Sequence, residues 1–347
     1  MAAMANLAKL LGIDIPVIQA PMAGVQAGAL AAAVSQAGGL GSLPCALLTP
    51  ETMRKELELV RSRTAGPINV NFFCHVPPQP DTAREAAWRK VLAPYYREFG
   101  IDPDSIPSGP GRAPFTQESA DLLEPFRPEV VSFHFGLPEE SLLARVKSWG
   151  ARILSSATTV EEALWLEARG VDAVIAQGLE AGGHRGMFLT DDITTQVGTL
   201  ALLPQVVAAV KVPVIAAGGI ADTQGVRAAF ALGASAVQVG TAFMLCTEAT
   251  TSVVHRAALK SAAARHTALT NLFTGRPART IVNRVVREIG PLHPGVPAFP
   301  LATTAITPLR TKAEAQGSSD FSPIWSGQNA RGCREVGAAQ LLLDLLP

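Results

Sequence analysis

Eight short apolar runs, each trailed by a longer amphipathic stretch or an insertion, constrain the fold more than any other feature of the chain. They occupy residues 17–20, 40–43, 67–73, 129–135, 152–156, 173–177, 212–217 and 236–240. Runs of this length, bounded by Gly, Pro or polar residues, predict buried parallel strands. The stretches between them predict helices. Residues 27–37 form an alanine-rich one ended by Gly38 and Gly39, Thr49 caps a second that continues to residue 63, and Thr159 with Glu162 gives a capping-box pattern at the head of 160–169. Further helical stretches cover 139–149, 200–210 and 222–232. A strand and a helix repeated eight times predict an α/β protein of the closed parallel (β/α)8 kind, a TIM barrel, because an open doubly wound sheet usually stops at about six strands.

The third unit is interrupted. Residues 75–115 are rich in Pro and Gly and carry a charged helical stretch at 81–99, which predicts an insertion or lid. Beyond Phe243 the alternation fades into helical stretches at 251–269 and 337–346, separated by the proline-rich segment 291–308. The expected organisation is therefore a barrel over residues 1–245 and a cap over 246–347, since each cap helix needs the barrel to bury its apolar face.

Charge and cysteine usage exclude several functions. Lys plus Arg equals Asp plus Glu at 29 each, so no field of one sign draws the chain to nucleic acid or an anionic membrane. The four cysteines, Cys45, Cys74, Cys246 and Cys333, are scattered without a Cys-x-x-Cys, which predicts reduced thiols rather than a zinc site or disulfides. No apolar segment reaches the roughly 20 residues that span a bilayer, and no cleavage-type sequence follows the apolar patch at 7–13. A cytoplasmic protein is expected, as monomer or homodimer.

In a barrel of this kind, reactive groups lie where the strands end at their C-terminal side. Those ends carry Pro21, Met22, Ala23 and Gly24; Asn69 and Asn71; His134; Gln177 with Gly182, Gly183 and His184; Gly218 and Gly219; and Gly240 with Thr241. Glycines after the seventh and eighth strands suit a phosphate, whose oxygens accept backbone N–H bonds when no Cβ intervenes. The stretch QGLEAGGHRG at 177–186 reads either as a glycine turn or as a ligand loop.

The segments IQAPMAG, AVSQAGGLG, VSFHFG, AQGLEAGGHRG, PVIAAGGIAD and AVQVGTAFM resemble the FMN-dependent nitronate monooxygenases, also called 2-nitropropane dioxygenases, in their class I bacterial form. The resemblance runs over about residues 15–243. Two of the motifs, AGGHRG and AAGGIAD, are shared with FMN-containing enoyl-ACP reductases, and His134 in VSFHFG is the discriminating residue. The resemblance implies FMN as cofactor. It implies that Ala20, Pro21, Met22, Ala23, Gly24 and Asn71 border the isoalloxazine ring and that Gln177 offers its amide to the ring's polar edge. Gly182, Gly183, Gly218, Gly219 and the segment Gln238, Val239, Gly240, Thr241 would surround the ribityl phosphate.

The same resemblance makes His134 the catalytic histidine, removing the proton α to a nitro group or holding the nitronate, with His184 as second candidate. His75 would line the mouth, Glu180 would be structural, and His255, His266 and His293 would lie on the surface or in the cap. One departure stands out. Class I members place tyrosines and a lysine in the cap, whereas the only tyrosines here, Tyr95 and Tyr96, lie in the insertion and the cap segment AFPLATTAITPLRTK offers Phe299, Arg310 and Lys312 as substrate contacts. A carboxylated nitronate such as propionate 3-nitronate would want the cation of Lys312 or Arg310.

The expected activity is oxidation of alkyl nitronates by dioxygen through a flavosemiquinone, without a nicotinamide. The rivals are an NAD(P)H-dependent enoyl-ACP or quinone reductase on the same barrel, and a non-catalytic flavin-binding barrel.

Overall fold

The computed structural model describes residues 2–106 and 112–346. Eight parallel strands form one ring: β1 (Val17–Gln19), β2 (Gly41–Pro44), β3 (Ile68–Phe73), β4 (Val130–His134), β5 (Arg152–Ala157), β6 (Ala173–Gln177), β7 (Val214–Ala217) and β8 (Ala236–Val239). Val17 stands opposite Val237 across β1 and β8, and the ring closes between β1 and β2 through the bridge from Ile18 to Leu40. The fold is a (β/α)8 TIM barrel.

Alternation along each strand explains both the core and the site. Val17, Val70, Val131, Ile153, Val174, Val214 and Val237 point outward and are buried beneath the helices. Ile18, Val130, Leu154, Ile175 and Ile215 point inward and pack with Leu7 and Leu11 of an N-terminal helix, Ala2–Leu11, which plugs the lower end of the barrel. Higher up, the inward positions become polar. Val130 is followed on the same face by Ser132 and His134, Leu154 by Ser156, Ile175 by Gln177 and Ala236 by Gln238, so these four strands carry an apolar foot and a polar head.

The helices start where short polar side chains satisfy their free N–H groups. Thr49 Oγ1 accepts from Thr52 N at 3.2 Å and Asp222 Oδ1 from Gly225 N at 2.8 Å. Thr159 Oγ1 likewise accepts from Glu162 N at 3.2 Å, but the return bond of the expected capping box goes one residue earlier. Buried Glu162 accepts from Thr158 N at 2.6 Å and from Phe188 N at 2.6 Å, so it ties the helix start to the loop after β6.

The insertion holds the helix Thr82–Glu98, capped by Asp81, and a 3-10 turn at Pro103–Ser105; part of its Gly/Pro-rich stretch, 107–111, lies outside the described residues. Its Trp88, Leu92, Tyr95 and Tyr96 form a second apolar core with Phe273, Val285, Ile306, Leu309 and Phe321 of the cap, and Tyr96 Oη donates to Ala305 O at 2.7 Å.

Three expectations about the cap need correction. The helical stretch at 251–269 ends at Lys260, because Ser261 is extended and caps a following 3-10 turn, Ala262–Arg265. Thr267–Thr270 is then a strand, antiparallel to Ala278–Ile281, which also pairs with a two-residue strand at Gly183–His184. The proline-rich segment turns helical at Ala302, and that helix runs through Pro308 to Ala315. Finally, the helix Ala338–Asp344 returns to the barrel wall, where Leu341, Leu342 and Leu345 share the core of the Gly28–Gln36 helix. It fills the outer position that follows β8. Among the described residues no helix is long and apolar enough to cross a membrane.

Candidate active site

The polar heads of the strands open into one cavity at the C-terminal end of the barrel. Of the residues singled out in the sequence, Ala20, Pro21, Met22, Ala23, Asn71, His134 and Gln177 line it, as do Gly182, Gly183, His184, Gly218, Gly219, Gln238, Gly240 and Thr241. Two flavin-contact expectations fall elsewhere. Gly24 is a left-handed turn residue (φ 86°) away from the lining, and Val239 faces the helices, as its place one residue after inward Gln238 requires.

Arg310 and Lys312 are also displaced. Both are exposed on the outside of the Ala302–Ala315 helix, and Arg310 is paired with Glu314 at 2.8 Å. The cation that does line the cavity is Arg112, from the insertion. Phe299 is buried in an aromatic wall, with ring centroids 6.0 Å from Phe73, 5.4 Å from Phe135, 5.3 Å from His184 and 4.8 Å from His75. Other lining residues escaped the sequence reading. Ser132 and Ser156 follow from alternation on β4 and β5, whereas Trp325, Gly327 and Asn329 come from the far end of the cap and carry no local signal.

The two histidines have different surroundings. His134 Nδ1 lies 3.0 Å from Ser156 Oγ and Nε2 lies 3.3 Å from the His184 carbonyl, so both ring nitrogens are engaged. With Nε2–H donating to that carbonyl, Nδ1 accepts from the serine hydroxyl. Burial pulls the His134 pKa down to about 3 despite the carbonyl bond, and Arg276 and Arg185 lower it further. His184 Nε2 meets Thr274 Oγ1 at 2.9 Å, while its Nδ1 makes no hydrogen bond among the described residues and its ring lines the cavity. Its pKa is also held well below the ordinary range by burial, then by Arg112, His134, Arg276 and His75. His184 is therefore a neutral imidazole with one free nitrogen.

Gln177 serves the loop that carries His184. Its Nε2 donates to His184 O at 3.0 Å and its Oε1 accepts from Gly186 N at 2.8 Å. Fully buried Arg185 fixes the end of β6 by donating to Gly178 O and Gln177 O, each at 2.7 Å, and to Gln196 Oε1 at 2.8 Å. Glu180 accepts from Thr199 N at 2.8 Å and Thr199 Oγ1 at 2.7 Å.

The far end of the cavity is made of backbone. Gly183, Gly218 and Gly219 have φ of 70°, 119° and 73°, and a Cβ on Gly183 would meet nothing within 4 Å. Gly182 has another reason to be glycine. A Cβ there would lie 2.5 Å from Gly327 N, so its bareness lets the cap close onto the β6 loop. That closure is stitched by Gly327 N to Thr241 Oγ1 at 3.0 Å, Gln328 N to Glu180 O at 3.0 Å and Asn329 Nδ2 to Gly219 O at 3.1 Å.

Arginines cluster around the β6 loop, with Glu162, Glu180 and Asp191 acting on them as counter-charges. Arg185, Arg276 and Arg279 donate to backbone carbonyls around the β6 loop, and with Arg112 none of the four forms an ion pair among the described residues. Arg276 also sits 4.2 Å from the Phe135 ring centroid.

Comparison with known proteins agrees along the whole chain. The family model described as Nitronate monooxygenase matches residues 4–347. A nitronate monooxygenase of Pseudomonas aeruginosa is 46% identical over 347 residues, covering 97% of each chain, and one of Paraburkholderia phytofirmans is 44% identical over 345 residues, covering 98% of this chain and 93% of its own. Among solved structures, nitroalkane oxidase from Streptomyces ansochromogenes aligns with a TM-score of 0.87 at 39% identity, covering 99% of this chain and 96% of its own. FabK from Thermotoga maritima aligns with a TM-score of 0.70 at 26% identity, covering 98% and 94%.

Proposed function

The chain belongs to the nitronate monooxygenase family, and on that premise we propose that it oxidises alkyl nitronates, propionate 3-nitronate or similar, with FMN as cofactor and dioxygen as oxidant. It is an oxidoreductase that needs no nicotinamide in this reading, and it works in the cytoplasm as a monomer or homodimer.

The residues present fit the cofactor. Gln238 Oε1 is a buried acceptor at the cavity wall with no partner among the described residues, which suits the N–H edge of a flavin ring. The left-handed backbone of Gly183, which leaves open space where a Cβ would stand, and the cavity-lining backbone of Gly218 and Gly219 and hydroxyl of Thr241 suit a phosphate. Bound there, FMN would supply the acceptor that takes electrons from the nitronate and passes them to dioxygen.

One observation carries the assignment of roles: His184 offers a neutral ring nitrogen, free among the described residues, in a cavity that the Arg112 guanidinium also lines. When Thr274 Oγ1 donates to Arg276 O, 3.4 Å away, it accepts the Nε2 proton of His184. The Nδ1 lone pair is then the base for the proton α to a nitro group. The surrounding arginines favour the anion that results. His134 supports this arrangement by holding the His184 carbonyl, so the bond-changing role passes from His134 to His184.

Oxygen consumption on a panel of nitronates, with and without NADH, tests the activity. Turnover without NADH is expected; turnover that requires NADH with an enoyl thioester would favour the reductase instead. His184→Asn should lower kcat/KM for neutral nitroalkanes by roughly 10²- to 10⁴-fold and for preformed nitronates much less. Equal turnover of nitroalkane by His184→Asn and wild type would remove His184 from proton transfer.

A further inference from the structure

Arg112, the arginine that lines the cavity, donates no side-chain hydrogen bond among the described residues. Arg185, Arg276 and Arg279 each satisfy part of the guanidinium with backbone carbonyls. The close neighbour of Arg112 is the Phe299 ring, with Cζ 5.9 Å from its centroid, and its backbone carbonyl is held by His75 Nε2 at 3.0 Å. Among the described residues no acidic group acts on it; the charged group that does is another cation, Arg310. Burial lowers its pKa to about 10, which leaves it charged at neutral pH. A half-enclosed guanidinium with five unused donors is matched by a planar anion that takes two parallel bonds.

Two anions already proposed for the cavity do not meet this need. The phosphate belongs to the Gly218, Gly219 and Thr241 end, whereas Arg112 stands with His75, Phe299 and His184. The reacting carbon, whose proton His184 Nδ1 would take, belongs beside that nitrogen. His184 and Arg112 both line the cavity and share Phe299 as a neighbour, 5.3 Å from the His184 ring and 5.9 Å from Arg112 Cζ, so the two groups stand no more than 5.3 + 5.9 = 11.2 Å apart and a second negative group on the same short substrate would face Arg112.

Resting on the nitronate reading, we propose that Arg112 binds a carboxylate at the far end of a short substrate and so selects carboxylated nitronates over uncharged ones of equal length. The role expected of Arg310 or Lys312 thereby falls to a residue of the insertion.

The test compares the holoenzyme and its Arg112→Met and Arg112→Lys variants on propionate 3-nitronate and on butyl-1-nitronate, an uncharged chain of similar length. Arg112→Met should lower kcat/KM for the carboxylated substrate roughly 10- to 100-fold more than for butyl-1-nitronate, whose smaller loss reflects only the field of the cation at His184, with Arg112→Lys between wild type and Met. Equal losses on both substrates, or none on either, would overturn the proposal. A titration with 3-nitropropionate, followed by calorimetry, gives a second readout independent of turnover. Weaker binding to Arg112→Met, with 1-nitrobutane binding unchanged, supports the carboxylate contact even if wild type oxidises neither nitronate, an outcome that would sink the nitronate reading alone; unchanged 3-nitropropionate binding overturns the contact whatever the turnover.

Discussion

Burial holds the imidazoles of this protein neutral, and that has a price in acid. His134 and His255 have folded-state pKa values of about 3 and about 4, pushed down chiefly by desolvation, while an exposed histidine titrates near 6.5. Between these values the unfolded chain takes up protons that the folded chain refuses, so stability falls as the pH drops below about 6.5. Each such group contributes about 1.4 kcal/mol per pH unit to the slope. Urea midpoints should decline steadily between pH 7 and pH 5, above the range where most carboxylates titrate, and His255→Gln should flatten the decline; midpoints that stay level would contradict it. The sequence offered both site histidines and the resemblance ranked His134 first. The reversal of that order that we propose rests on hydrogen-bond partners, Ser156 and the His184 carbonyl against Thr274, which sit on other elements and leave no mark beside either histidine.

At the level of elements, the loop after β6 is where barrel and cap meet. Adjacent glycines there answer to different constraints. Gly182→Ala drives a Cβ to 2.5 Å from Gly327 N, whereas Gly183→Ala meets open space and strains only its left-handed backbone. Urea unfolding should register a loss of roughly 3 kcal/mol for the first and about 1 kcal/mol for the second; the reverse order would mean that the cap does not close on Gly182. The barrel strands and their helices were legible because period, caps and glycine stops are local signals. The strand Thr267–Thr270 was not, since its four residues take their conformation from a partner strand that begins only at Ala278. Arg112 was equally silent: an arginine in a Gly- and Pro-rich stretch has no periodicity to say that it turns inward.

Across the whole molecule, the eightfold alternation predicted the barrel, but not how its wall is finished. The helix Ala338–Asp344 lies against the Gly28–Gln36 helix, with Leu342 fully buried and its Cδ1 at 3.1 Å from where a Cβ on Gly39 would stand. Leu342→Ala should destabilise the protein by about 2–5 kcal/mol without changing KM, because the cavity opens at strand ends that this helix does not touch; a changed KM with unchanged thermal stability would refute that separation.

The joint between β1 and β8 also sets a schedule for synthesis. Val17 must wait for Val237, 237 − 17 = 220 residues later. At about 5–20 residues per second, the nascent chain carries one unpaired, apolar sheet edge for on the order of ten to forty seconds. Throughout that interval the emerging half-barrel is a client for chaperones, and the cell must keep its open edge from other chains until the ring can shut.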